Sequence, residues 1–361
     1  MNLNTLYTKA LNKEPLSAYE GAFLYRNAPP AELFETAQKL RYSHVPGKRV
    51  SWQIDRNINY TNVCISGCLF CNFHCTVSQK EKSYTTSTEE YKVKIAELRA
   101  LGGDQILLQG GLHPNYDITF YENLFTELKS IDPEIKLNAL GPPEVAHIAR
   151  ISRISIEETL ERLVKAGLTT LPGAGAEILS DRIRKIISPA KPNTAKWCEV
   201  MRAAHKMGLS TTATMVYGHI ETIEERMEHL VTIREIQADR PAGAPGFRAF
   251  ISWPMQMEGT KLAEICAKRD ITPVEHLKMI AISRIMLTNI PHIQASWLTV
   301  GETIGQMALH CGADDMGSIM IEENVVSSAG ASFRMGSEEM QRRIHEAGFE
   351  PWLRGQDYSP R

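Results

Sequence analysis

The sequence predicts an α/β protein folded as a (β/α)8 barrel of the TIM type, with a helical cap at its N-terminus. From about residue 52 onward, short β-prone runs alternate with longer helical runs, which is typical of βα units around a parallel sheet. Eight such units fit this part of the chain, and that number favours a closed barrel over an open doubly wound sheet. Residues able to carry chemistry follow several of the predicted strands, where barrel enzymes place their active sites.

The predicted strands are short runs with apolar and β-branched residues. They span residues 53–60, 105–109, 136–140, 169–171, 211–216, 248–252, 294–298 and 316–321. The predicted helices between them span residues 87–101, 120–131, 155–166, 194–207, 223–238 and 273–287. The helix at 87 begins with Ser87 and has Glu90 three positions later, the spacing of a capping box.

Three regions are predicted along the chain. Residues 1–49 contain amphipathic helical runs that form the cap. Residues 50–335 form the barrel, and residues 336–361 form a C-terminal extension that packs on it.

The composition is that of a globular protein without a nucleic-acid or membrane partner. Lys and Arg total 40 against 42 Asp and Glu, giving a formal net charge of −2 without a long basic run. No stretch of about 18 apolar residues occurs, and the first residues lack the pattern of a signal peptide. Seven cysteines, an odd number, agree with a reducing compartment. We therefore expect a cytoplasmic protein.

The most informative motif is a cysteine loop directly after the first predicted strand. Cys64, Cys68 and Cys71 follow a Cys-x3-Cys-x2-Cys spacing, and Cys75 comes three residues beyond Cys71. Such a group indicates a metal centre more than disulfides in this setting. Zinc would require a second knuckle of ligands, and none follows Cys75. A closed iron–sulfur cluster with Cys75 as fourth ligand, as in an electron carrier, stays an alternative.

This loop resembles that of the radical S-adenosylmethionine (SAM) enzymes, including an aromatic residue, Phe70, directly before the last cysteine. The resemblance implies that three cysteines bind a 4Fe-4S cluster and leave its fourth iron open for SAM. Reductive cleavage of SAM would then release a 5'-deoxyadenosyl radical. The cofactors expected are therefore a 4Fe-4S cluster and SAM, with the protein supplying binding and orientation.

Two glycines follow the second predicted strand, in the segment that begins with Gln109. Gly110 and Gly111 form either an ordinary turn or a place where the backbone approaches a ligand closely. The segment also resembles the Gly-Gly motif whose carbonyl groups hold the methionine amino group of SAM. The resemblance thus implies that Gln109, Gly110 and Gly111 bind the cofactor.

Carboxylates follow the next three predicted strands. Glu144 and Glu177 are either helix-start carboxylates or contacts to the ribose or sulfonium of the cofactor. Gly218 and Glu221 match a Gly-x-Ile-x-Gly-x-x-Glu segment that in the resembled family packs beside the adenine.

Histidines and polar residues at strand ends complete the candidate site. His113 and His219 follow strands at the expected end of the barrel, where either side chain could orient a substrate carboxylate or move a proton. Trp253 closes the sixth predicted strand, and Asp314 lies near the eighth.

Longer segments, at residues 57–64, 109–114, 171–179, 211–222 and 312–324, resemble the radical SAM cyclases of the futalosine route to menaquinone. The resemblance implies cyclisation of dehypoxanthine futalosine, with aminodeoxyfutalosine synthases and deazaflavin (FO) synthase subunits as the nearest alternatives. It also implies a low-potential electron donor such as flavodoxin or ferredoxin, and a homodimer is possible. The expected site residues are the cluster ligands Cys64, Cys68 and Cys71, the cofactor-binding residues Phe70, Gln109, Gly110, Gly111, Glu144, Glu177 and Gly218, the catalytic residues His113, His219 and Glu221, and the substrate-binding residues His113, Trp253 and Asp314.

Overall fold

A computed structural model describes residues 1–266 and 270–361 of the chain. Its strands are β1 Arg49–Gln53, β2 Asp55–Asn59, β3 Gln105–Gln109, β4 Lys136–Ala139, β5 Leu168–Leu171, β6 Ser210–Tyr217, β7 Gly246–Pro254, β8 His292–Gln294, β9 Asp315–Ser318 and β10 Glu350–Leu353. The helices are α1 Leu3–Leu11, α2 Ala18–Asn27, α3 Pro30–His44, α4 Thr88–Ala100, α5 Ile118–Ile131, α6 Pro142–Ser152, α7 Ile156–Ala166, α8 Asp181–Ile187, α9 Thr194–Lys206, α10 Ile223–Ala238, α11 Leu262–Ile265, α12 Pro273–Met286, α13 Trp297–Val300, α14 Glu302–Ala308 and α15 Ser337–Glu346, with a 3-10 turn at Ser327–Ala329.

The sheet is parallel throughout the described residues, and the run from β1 to β2 links its two sides. Only Ile54 separates β1 from β2. β1 pairs with β9 and β10, whereas β2 pairs with β3, and β3 to β9 pair in sequential order. The two halves of the run from β1 to β2 therefore bond opposite neighbours, and the sheet closes on itself. With that run counted as one barrel strand, the predicted (β/α)8 fold is confirmed.

The predicted helices and most predicted strands lie where the sequence placed them, to within a few residues. Ser87 accepts a hydrogen bond from the Glu90 N–H, and the Glu90 carboxylate accepts one from the Ser87 N–H at 2.7 Å, so the capping box forms. The predicted strand at 294–298 is wrong in its second half, because Ser296 adopts a left-handed conformation (φ 56°) and α13 begins at Trp297. The last predicted strand, at 316–321, corresponds to β9. It ends at Ser318, since Met320 also has a positive φ.

The first three helices lie on the outer helical layer of the barrel. α2 packs against α10, and α3 packs against α12. Arg26 of α2 forms an ion pair with Glu224 of α10, its Nη2 donating to Oε2 at 2.8 Å.

The last residues of the chain close the amino-terminal end of the barrel. β10, which the sequence did not predict, adds a parallel strand beside β1. Arg354 then donates from Nε to Asp315 Oδ2 at 2.8 Å, and the Tyr358 ring stacks on His292 with centroids 3.9 Å apart. Asp315 and His292 are the first residues of β9 and β8, so this tail forms a floor beneath the barrel lumen.

Within the described part of the chain, no helix combines the length and the apolar character needed to cross a membrane.

Candidate active site

The cysteine loop follows β2, at the carboxyl end of the barrel, and a second stretch of chain braces it. The Cys64 N–H donates to the Cys75 carbonyl oxygen at 3.0 Å, and the Cys75 N–H donates to the Asn62 carbonyl oxygen at 2.9 Å. All seven cysteines are free thiols. Cys75 therefore supports the loop through its main chain, beside the segment that carries Cys64.

Two of the three predicted ligands, Cys64 and Cys71, lie beside hydrogen-bonding groups, whereas burial raises the pKa of the third, Cys68. Cys64 Sγ accepts a hydrogen bond from the Leu112 N–H at 3.2 Å and lies 2.8 Å from the Ser66 hydroxyl. Burial acts to raise the pKa of Cys71, but hydrogen bonding with His74 holds this pKa below its usual value. Thiolates are the metal-binding form of cysteine, so the loop is suited to a metal centre.

The thiols fit a cluster better than a single ion. Among the described residues, no three His, Cys, Asp or Glu side chains are arranged around a point that could hold one metal ion. A cubane distributes its cysteine ligands over different irons, so their sulfurs need not converge. The donor set of Cys64, Cys68 and Cys71 therefore fits a three-cysteine iron–sulfur cluster.

Gly110 and Gly111 lie against the cysteine loop. The Gly111 N–H donates to the Thr61 carbonyl oxygen at 2.9 Å. A Cβ at Gly111 would lie 2.1 Å from the Val63 carbonyl oxygen and 2.9 Å from Cys64 Cβ, and a Cβ at Gly110 would lie 2.7 Å from the Tyr60 ring. The contacts that require glycine here are thus with the protein's own chain, and binding of SAM by Gly110 and Gly111 stays a prediction.

Glu144 and Glu177 lie near each other and are both buried. Burial raises the pKa of Glu144 to about 7, and the Gly110 backbone N–H opposes this rise. Burial would also raise the pKa of Glu177, but Lys191 and Arg184 lower it overall. The site therefore combines one carboxyl group near its titration point with one that is held ionised.

Lys191 is a site residue that the sequence interpretation missed. Its Nζ lies 2.7 Å from Glu177 Oε1 and 5.4 Å from the centre of the Phe70 ring. The cysteine loop also contacts α8, because the Leu69 N–H donates to the Ile187 carbonyl oxygen at 2.9 Å. Lys191 thus connects Glu177 to the cluster loop. A lysine in a Pro-rich loop carries no signal in the sequence, and only the burial of Glu177 requires a cation there.

His219 and Glu221 hold the turn after β6. Gly218 has φ 92°, and its N–H and that of His219 donate to the Glu221 carboxylate at 2.6 and 2.9 Å. Arg226 donates to the same carboxylate at 2.8 Å, and His219 Nε2 lies 3.1 Å from the Val216 carbonyl oxygen. Both predicted catalytic side chains are buried and bonded within the turn. The structure does not direct either of them into open space.

His113 keeps an accessible ring at the carboxyl end of β3. The ring stacks on Tyr116 with centroids 3.7 Å apart, and its Nδ1 accepts a hydrogen bond from the Asn115 N–H at 3.2 Å. Burial and the neighbouring His147 lower the pKa of His113. With Nδ1 accepting, the neutral ring carries its proton on Nε2 and can donate from it.

The two other predicted substrate residues lie at different levels of the barrel. Trp253 is near the carboxyl end of β7, next to the apolar group of Ala249 and Ile251. Asp314 directly precedes β9 and therefore lies at the opposite, amino-terminal end. It is buried with Arg284 and His292, which lower its pKa to about 2 against the effect of burial. Asp314 therefore lies in the floor of the barrel and not at the carboxyl ends of the strands, where the sequence analysis expected it.

A cavity of about 630 Å³ lies beside the cysteine loop, between the segment after β7 and the N-terminus of α12. Glu258 and Gly259 line it, and Asn72 of the cysteine loop donates to the Glu258 carbonyl oxygen at 3.0 Å.

The fold and the site together define a barrel protein whose first loop carries three closely spaced cysteines, a donor set that fits an iron–sulfur cluster. The radical SAM superfamily model matches residues 58–233, and the model of the CofH/MqnC C-terminal region matches residues 244–361. The chain belongs to the radical SAM superfamily, and it carries the C-terminal region of its CofH/MqnC members. The predicted cofactors, a 4Fe-4S cluster and SAM, are those of this superfamily.

Individual relatives cover almost the whole chain. Cyclic dehypoxanthine futalosine synthase from Streptomyces coelicolor is 42% identical over 99% of this chain and 88% of its own length. 5-amino-6-(D-ribitylamino)uracil--L-tyrosine 4-hydroxyphenyl transferase 1 from Methanosarcina mazei is 41% identical over 92% of this chain and 87% of its own length. The crystal structure of methylornithine synthase superposes with a TM-score of 0.73 at 19% identity over 96% of this chain and 97% of that one, which shows a shared fold.

Proposed function

We propose that this enzyme converts dehypoxanthine futalosine to cyclic dehypoxanthine futalosine, a step of menaquinone biosynthesis. The substrate loses its ribose C4' hydrogen, and the resulting carbon radical adds to the neighbouring benzoate ring. Loss of one electron and one proton then restores the aromatic ring. The observation that carries this proposal is the 42% identity to a cyclic dehypoxanthine futalosine synthase along nearly the entire chain.

The residues of the site have different binding roles. Cys64, Cys68 and Cys71 would hold the cluster, which together with SAM supplies the 5'-deoxyadenosyl radical. Lys191 and Glu177 lie next to that loop as a buried ion pair and are placed to orient charged groups of the cofactor. The buried carboxyl of Glu144, beside Gly110, can accept or donate a hydrogen bond near neutral pH because its pKa is about 7.

His113 is the best-placed group for a substrate carboxylate or a proton. Its Nε2–H is available as a donor, since Nδ1 already accepts from the main chain. A flavodoxin or ferredoxin would supply the electron that starts each turnover.

A second candidate is transfer of a hydroxyphenyl group from tyrosine to a ribitylaminouracil, because a transferase with that name is 41% identical. The two candidates use different substrates, so one assay separates them. Anaerobically reconstituted enzyme is incubated with SAM, reductant and dehypoxanthine futalosine deuterated at the ribose C4', and in parallel with tyrosine and 5-amino-6-(D-ribitylamino)uracil.

Mass spectrometry is expected to show one deuterium in the released 5'-deoxyadenosine and a product that has lost one deuterium and one hydrogen. A Cys68→Ala variant serves as the control that lacks the cluster. Unlabelled deoxyadenosine, an adenosyl group retained in the product, or turnover only with tyrosine and the uracil would refute the cyclase assignment.

A further inference from the structure

The chain that follows β9 crosses the carboxyl end of the barrel, and we call its residues 321–335 the strap. Near its start, Asn324 donates from Nδ2 to Oδ1 of Asn59, the last residue of β2, at 3.1 Å. Near its end, the Phe333 ring lies beside Gly301, where an added Cβ would be 3.0 Å from the ring, and Gly301 follows β8. The strap therefore extends over strand ends from β2 to β8.

The strap contains a turn that is held by its own carboxylate. Glu323 is 7% exposed and accepts hydrogen bonds from the N–H groups of Val325, Val326 and Ser327 at 2.8, 2.8 and 2.7 Å. This turn keeps its shape without hydrogen bonds from the rest of the barrel.

One side chain attaches the backbone of the strap to the barrel. Asn72, directly after Cys71, donates from Nδ2 to the Ser328 carbonyl oxygen and to the Glu258 carbonyl oxygen, both at 3.0 Å. Among the described residues, no other backbone atom of the strap is hydrogen-bonded outside it. The amide of Asn72 thus joins the cysteine loop, the segment after β7 and the strap.

The joined segments form one wall of the cavity beside the cysteine loop. Glu258 and Gly259 line it from the segment after β7, and Ala329 and Gly330 line it from the strap. Displacement of the strap would open this cavity further to solvent. A closed site excludes water and prevents side reactions of reactive intermediates.

We propose that Asn72 is a positioning residue that holds the strap over the carboxyl end of the barrel during catalysis. The inference rests on the proposed function, in which a deoxyadenosyl radical takes the C4' hydrogen of the substrate. With the strap displaced, the radical would instead take up a second electron from the assay reductant and a proton from water. That reaction gives deoxyadenosine without product.

Arg334 allows the attachment of the strap to be measured without cofactors. It is exposed and is the only Lys or Arg of residues 321–335, so trypsin can cut the strap only after this residue. In protein without a cluster, Asn72→Ala and Asn72→Asp should be cut there about 3- to 10-fold faster than wild type, because losing these hydrogen bonds raises the open fraction. Asn72→Gln keeps the amide donors and should stay closer to wild type.

The second measurement is the product formed per deoxyadenosine in cluster-containing enzyme with the C4'-deuterated substrate. Wild type should form close to one product per deoxyadenosine. In Asn72→Ala this ratio should fall about 3-fold, and the deoxyadenosine made without product should lack deuterium. The KM for SAM should stay unchanged, because the Asn72 amide is engaged by carbonyl groups of the protein.

Asn27→Asp is the matched control. Asn27 is an exposed amide at the end of α2 that donates from Nδ2 to the Phe23 carbonyl oxygen at 2.8 Å, away from the strap. Its cleavage rate after Arg334 and its product ratio should equal those of wild type. Iron content and thermal unfolding are measured for each variant, and Asn72→Ser replaces Asn72→Ala if the alanine variant loses iron.

Two results would overturn the role of Asn72. One is a wild-type rate of cleavage after Arg334 in the Asn72 variants, or the same acceleration in Asn27→Asp. The other is faster cleavage with the product ratio of wild type. If wild type leaves dehypoxanthine futalosine unconverted, the proposed function fails instead; cleavage after Arg334 still tests the attachment, and the product ratio is measured with the substrates of the second candidate.

Discussion

Replacing Gly111 by alanine should cost the enzyme its cluster before it costs affinity for SAM. The added Cβ would lie 2.1 Å from the Val63 carbonyl oxygen, 2.5 Å from the Val63 carbonyl carbon and 2.9 Å from Cys64 Cβ. Ordinary contact begins near 3.4 Å, so the Val63 peptide must move by more than 1 Å. Because that peptide precedes Cys64, the ligand moves with it. Overpacking of this kind costs about 1–3 kcal/mol.

The effect is measured as iron and sulfide bound per chain after anaerobic reconstitution, together with thermal unfolding. Gly110→Ala should be milder, since its Cβ would meet the ring of Tyr60 at 2.7 Å and a side chain yields more easily than backbone. Gly336→Ala is the control, because no atom lies within 4 Å of its added Cβ. A Gly111→Ala protein with full iron content and only weakened SAM binding would refute this reasoning. It would indicate instead that glycine at this position leaves space for SAM.

Three further predictions concern the cysteine loop, Glu144 and the barrel floor. Cys75→Ala should keep its iron and form deoxyadenosine, whereas Cys64→Ala should lose both; iron loss in the Cys75 variant would point to a closed cluster. The pKa of Glu144 is about 7 in the folded state and about 4.5 in the unfolded chain, so between these pH values the folded carboxyl keeps its proton while the unfolded one ionises, and stability is lost. Over that range the stability of wild type should fall by about 3 kcal/mol relative to Glu144→Gln in urea unfolding, and parallel curves would contradict this. Asp314→Asn should lower the unfolding temperature while leaving substrate KM unchanged. A raised KM with normal stability would indicate that Asp314 contacts the substrate.

The sequence alone was sufficient to predict a feature wherever the residues that determine it are close together in the chain. The helix at 223–238 begins where it was predicted because Thr222 and Glu225 form a capping box at its first turn. The cysteine spacing predicts a cluster loop because its three cysteines are close together in the chain.

The remaining features depend on contacts between distant parts of the chain. Lys191 became visible only through its contact with Glu177 and Phe70. Asp314 was misplaced because residues that precede a parallel strand and those that follow it lie at opposite ends of the barrel. His219 and Glu221 followed a strand as expected, but no sequence pattern showed that both side chains would fold back into their own turn.

The closure of the barrel also bears on when it can form during synthesis. The run from β1 to β2 emerges early and carries the cysteine loop directly behind it, yet its neighbours β9 and β10 are made some 260 to 300 residues later, as the pairing of Arg49 with Glu350 shows. Pairings so distant in sequence form slowly. Until β9 and β10 have left the ribosome, β1 lacks its neighbours, and Arg354 cannot reach Asp315. The loop that is expected to hold the cluster therefore spends the synthesis of some 260 residues on an unclosed barrel, and cluster insertion into a finished site has to wait until β9 and β10 have formed.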